Sequence, residues 1–167
     1  PYTWDKERVS SYIRYVDTDN QSHWLFDSFL FLEIMDTGTG GANKMFAKGY
    51  NLESANQADW TKLIDYYFQS ETGIGALDAS VKEASAILGT PRQKRQIVIS
   101  IPEPIVYQHP EQASSSTKYW GKIDNQTLDF SNSADRIKAC KWYIDQVRAK
   151  FNEKNYQHVE LAGFYWL

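Results

Sequence analysis

Two carboxylates of this chain stand where apolar, strand-like runs end. Glu33 follows Phe29-Leu30-Phe31-Leu32, and Glu103 sits between Pro102 and Pro104 after Gln96-Ile97-Val98-Ile99-Ser100-Ile101. A carboxyl pair can divide acid and base work, one group protonating a leaving oxygen while the other attacks or activates water. Neighbouring strands lie about 4.8 Å apart. If these two pair directly, Glu33 and Glu103 approach the separation of about 5–5.5 Å used in retaining cleavage of a glycosidic bond. Both are therefore catalytic candidates, with Asp36 nearby as a substrate contact. The alternatives stay open: Glu33 also suits a salt-bridged rim carboxylate, and Glu103 a stiff proline-flanked turn. Asp27 begins its strand, away from the end where parallel α/β folds place their chemistry, and reads as structural.

Aromatic residues make up 15% of the chain, with 6 Trp, 11 Tyr and 8 Phe, more than a small core needs. A ring face packs well against the C–H face of a sugar. Tyr165 and Trp166 on the last strand, and Tyr107 and Trp120 in a long polar segment, are the candidates for such stacking, with His109 as a polar contact. Trp166 and a neighbour equally suit a core. Trp142 and Tyr143 lie on an amphipathic helix and read as packing.

Other chemistries are disfavoured. One cysteine, Cys140, rules out an internal disulfide and a multi-cysteine metal centre, and its place on a helix face makes it a small hydrophobe. His23, His109 and His158 are too dispersed to suggest a metal site. Thr37-Gly38-Thr39-Gly40-Gly41 lacks the Gly-Lys-Ser/Thr ending of a phosphate loop, and Asp124 to Asp129 lacks the glycine and glutamate of a calcium loop. No cofactor is expected. A net charge of −3 disfavours a nucleic-acid partner, and no apolar run reaches the about 18 residues needed for a membrane span.

The elements that must position these groups follow from periodicity. Thr3 is placed as the cap of a helix from Trp4 to about Val16, with Val9, Ile13 and Val16 on one side. Leu25 to Met35 reads as a strand covered on both faces. Asn56 with Asp59 predicts a capped helix over about Gln57–Gln69, with Trp60, Leu63, Ile64, Tyr67 and Phe68 as its stripe. A second helix runs from about Gly75 to Leu88 and ends at Gly89 and Pro91. Strand 96–101 stops at the two prolines. The polar stretch from Tyr107 to Asn132 reads as a long loop, of a length that is usually functional or disordered. Ser133 is placed as the cap of a helix carrying Ile137, Cys140, Ile144, Val147 and Phe151, followed by a strand from about His158 to Trp166. Strands separated by helices imply a parallel sheet. An eight-fold barrel needs about 250 residues, so three strands leave a partial barrel or a small doubly wound sheet, and the expected fold is α/β, a partial or truncated TIM-type (β/α) barrel.

Four segments carry a family resemblance: Phe26-Asp27-Ser28-Phe29-Leu30-Phe31-Leu32; Ile101-Pro102-Glu103-Pro104; Arg136 with Lys141-Trp142-Tyr143-Ile144-Asp145; and Gly163-Phe164-Tyr165-Trp166. Together the chain resembles an uncharacterised bacterial family, domain of unknown function 4855, along its whole length. The resemblance implies a glycoside-hydrolase-like barrel, a secreted or cell-surface location, and a role in acting on or binding a polysaccharide. The alternative is a non-catalytic carbohydrate-binding or scaffold domain. The family pattern has a further strand before Pro1 and an acidic residue after the Tyr-Trp pair. Residues 1–167 are thus expected to be one segment of a larger barrel, incomplete at both ends, with at least one catalytic carboxylate outside the chain. Missing barrel segments or self-association would cover its strand edges.

Overall fold

The computed structural model describes residues 3–36, 43–112 and 116–167. In chain order the elements are α1 (Lys6–Ile13), β1 (Arg14–Val16), β2 (Ser22–Trp24), β3 (Ser28–Phe31), β4 (Met35–Asp36), β5 (Lys44–Met45), β6 (Glu53–Ser54), α2 (Gln57–Tyr67), α3 (Gly73–Leu88), β7 (Arg95–Ile101), β8 (Lys122–Ile123), β9 (Gln126–Thr127), α4 (Ser133–Lys154) and β10 (Val159–Trp166). A short 3-10 turn covers Pro110–Gln112. The glycine-rich segment 37–41, and Ser114 and Ser115 of the polar loop, lie outside the described residues.

The expected barrel segment is not what the chain forms. The fold is mixed α/β, with four small sheets among the described residues. One is parallel, in the order β10-β7-β3; β1-β2 and β8-β9 are antiparallel hairpins, and β4-β5-β6 mixes both directions. A barrel closes strand upon strand until no edge remains. Here β3 and β10 each pair on one side only among the described residues, both with β7. Much of the chain assigned to crossovers is spent on the local hairpins and on the small sheet. Short polar turns make these hairpins: Asn20, Asp124 and Asn125 adopt positive φ, which Asn and Asp tolerate better than most residues.

Local chemistry explains the long elements. Asn56 Oδ1 accepts the Asp59 amide at 3.1 Å while Asp59 Oδ2 accepts the Asn56 amide at 3.0 Å, a reciprocal cap that starts α2. Its stripe of Trp60, Leu63, Ile64 and Tyr67 is buried. The α4 cap is Asn132, not Ser133, and the buried face holds Ala139, Cys140, Tyr143 and Val147. Ile137 is left 55% exposed because it lies to the side of that face, on which Tyr143 meets Trp60 with ring centroids 5.7 Å apart. Helix α1 is shorter than expected: Asp5 caps it through the Arg8 amide, and the chain turns extended at Arg14 to enter the first hairpin.

β7 runs through the middle of the parallel sheet and buries Ile97, Ile99 and Ile101 in a single core with α2, α3 and α4. β3 is covered on one face only. Phe29 and Phe31 are half-buried, while Leu30 is 48% exposed. β10 carries an extra residue, Ala162, between Leu161 and Gly163, which shifts its register against β7 and twists the strand locally.

Candidate functional site

The end of β3, the N-terminal segment and the α2–α3 turn enclose a cavity of about 250 Å³. Its walls include Trp4, Tyr12, Leu30, Leu32, Tyr66 and Tyr67, with Glu33 at the strand end. Trp4 and Tyr12 meet edge to face at 5.7 Å, and Tyr12 stacks on Phe26 at 6.5 Å. All four of Trp4, Tyr12, Phe26 and Leu30 are more than two-fifths exposed, so the rings form an accessible aromatic wall. The wall is held from the other side of the turn. Gly73 donates its amide to the Trp4 carbonyl at 2.9 Å, and Asp5 bridges to Thr72.

Glu33 is the only charged side chain lining this cavity among the described residues. Burial holds its carboxyl above the usual carboxylate range, and the nearby Asp36 charge pushes the same way, against the backbone amides of Met35 and Ile34. The Glu33 charge in turn adds to burial in raising the phenols of Tyr66 and Tyr67. Tyr67 is 3% exposed, and its hydroxyl lies near Ser100 without either atom completing a hydrogen bond. Arg8 stands 5.5 Å from the centre of the Trp4 ring and is not one of the lining residues.

Glu103 does not line this cavity. Phe46 stands between the chain leaving β3 and the chain leaving β7. Its amide donates to the Ile34 carbonyl at 2.8 Å, and its carbonyl accepts the Glu103 amide at 2.7 Å. The Glu103 carboxylate accepts the Lys48 amide at 2.7 Å and pairs with Lys48 Nζ at 2.8 Å. Glu33 and Glu103 therefore have different surroundings: one sits among rings, the other is clamped by a cation and a backbone amide.

The other expected site residues are dispersed. Tyr165 and Trp166 are 47% and 62% exposed on β10, on the far side of β7 from β3. Trp120 is 1% exposed, packed edge to face against Trp60 and Trp142, so it is core and offers no face to a ligand. Asp36 lies on β4 opposite Lys44, close enough to Glu33 to affect its charge. The Tyr107 carbonyl accepts the Ser54 hydroxyl at 2.8 Å, tying the polar loop to β6. His109 lies beside a half-buried cluster in which Glu53 pairs with Lys44 at 2.7 Å and accepts Gln108 at 2.8 Å. That cluster has no sequence signature, because its members come from three separate segments. Asp27 accepts Arg95 at 2.8 Å, and the buried Arg95 guanidinium lies 4.4 Å from the Trp24 ring centre.

Among the described residues no group of three or more His, Cys, Asp or Glu could hold a metal ion. No described helix is long and apolar enough to cross a membrane. A family model described as "Domain of unknown function (DUF4855)" matches residues 1–167. The chain belongs to this family. Neither a curated protein nor a solved structure matches this chain.

Proposed function

We propose that this DUF4855 domain binds carbohydrate, met outside the cell, through the aromatic cavity at the end of β3. The observation that carries the reading is one carboxyl set among accessible rings: Glu33 with Trp4, Tyr12 and Tyr66. Rings supply stacking surface for a pyranose, and a carboxyl accepts hydroxyl hydrogen bonds that fix its orientation. The volume of about 250 Å³ lies below the range of about 300–1,000 Å³ typical of drug-sized ligands, which suits a single sugar unit of a longer chain. Binding is favoured over hydrolysis because the second expected carboxylate, Glu103, is engaged by Lys48 outside this cavity.

Titration calorimetry against a panel of oligosaccharides tests the reading. A saturable sugar ligand whose affinity falls about tenfold or more in Tyr12→Ala supports it, that being the order of one aromatic contact. No binding across the panel removes it.

One observation favours a catalytic variant of the same site. Burial raises the Glu33 carboxyl, the direction a general acid needs, and Asp36 is the carboxylate that acts on it electrostatically. Turnover of an aryl glycoside that disappears in both Glu33→Gln and Asp36→Asn would carry this second reading.

A further inference from the structure

Resting on the carbohydrate reading of this cavity, we infer that its ligand is an amino sugar, recognised through a free ammonium group. The cavity is lined by rings and aliphatic side chains with a single charge, the Glu33 carboxylate, and no basic side chain among the described lining residues. A neutral sugar would use the rings equally well and meet the carboxylate only through hydroxyl hydrogen bonds, without using its charge. An acidic sugar would bring its carboxylate against Glu33 in a partly dehydrated site, where like charges repel strongly. An ammonium complements the site twice. It forms a charge-assisted hydrogen bond with Glu33, and it is attracted to aromatic faces, which Tyr12 and Tyr66 bring to the same lining. The attraction centres on Glu33 and not on Trp4, whose ring already has the Arg8 guanidinium 5.5 Å from its centre. N-acetylation of the sugar removes the positive charge and adds bulk, so it cancels both attractions.

The experiment compares three tetrasaccharides of the same linkage near neutral pH: the free glucosamine oligomer, its N-acetylated form, and the glucose oligomer. The glucosamine oligomer should bind about tenfold more tightly than either of the others, the order of one charge-assisted hydrogen bond. Glu33→Gln should remove that preference while leaving a measurable common affinity, and Tyr12→Ala should weaken all three. Equal binding of the three oligomers by the wild-type domain overturns the amino-sugar assignment and leaves carbohydrate binding standing. Binding of none overturns both. The wild-type comparison decides the matter even if a variant fails to fold.

Discussion

The carbonyl oxygen of Trp4 accepts the Gly73 amide at 2.9 Å, so the first ring of the cavity wall is fastened to the turn between α2 and α3. Gly73 holds φ at +57°, and a Cβ there would lie 2.7 Å from the Tyr67 carbonyl oxygen. Gly73→Ala should destabilise the domain by about 1–3 kcal/mol, through left-handed strain and the clash with fixed backbone. Urea denaturation measures the loss. Ligand affinity should fall as well, since Trp4 moves with the turn.

Glu33 links pH to stability. Its carboxyl is raised in the folded state by burial first and by Asp36 second, with Tyr66 and Tyr67 facing it from α2. A raised acid binds its proton more tightly when folded, so its contribution favours folding at low pH and is lost as pH rises through the ordinary and then the raised value. Glu33→Gln should therefore be more stable than the wild type at neutral pH. The difference should shrink below the ordinary carboxylate range, where both side chains are neutral. Melting temperatures across that pH interval check the sign, and a variant less stable at every pH would contradict it.

Trp120 and Trp166 should respond in opposite ways. Trp120 is 1% exposed and Trp166 62%. Trp120→Ala opens a core cavity and should cost about 3–5 kcal/mol. Trp166→Ala should change stability by less than about 0.5 kcal/mol. Denaturation midpoints of the two variants distinguish them directly.

Glu103→Gln should leave sugar affinity unchanged. Its carboxylate serves Lys48, whose side chain is 52% exposed, and a pair of that kind contributes less than about 1 kcal/mol. A tenfold or greater loss of affinity on this substitution would return Glu103 to the site.

Cys140 should resist alkylation in the native state. It is 4% exposed, and burial pushes its thiol up to about 11, so little nucleophilic thiolate exists at neutral pH. Labelling should appear only as denaturant unfolds the domain, which also supplies an independent measure of stability.

The residues Asn56 and Asp59 announce α2 because a reciprocal cap lies within four consecutive positions, and Pro102 announces the end of β7 because a missing amide is a local property. Helices α2, α3 and α4 and strands β7 and β10 were legible in this way, to within a residue or two. The hairpins β1-β2 and β8-β9 were not, since strands of two or three residues carry too little alternation to register. The barrel expectation failed because element order does not say whether a sheet closes. That depends on pairings between residues such as Phe29 and Ile97, 68 positions apart.

Glu33 could be found from its place at a strand end. Its ring partners could not, although α1 and its flank carry more apolar residues than the buried pair Val9 and Ile13 requires, and the surplus was Trp4 and Tyr12. Amino-acid type and spacing thus specified which segments become helix or strand, since capping, alternation and missing amides act within one or two turns of chain. Which carboxylate faces rings, which is clamped by a lysine, and which tryptophan is core depended on packing between distant segments. Those contacts exist only once the backbone has closed, and no short-range pattern encodes them.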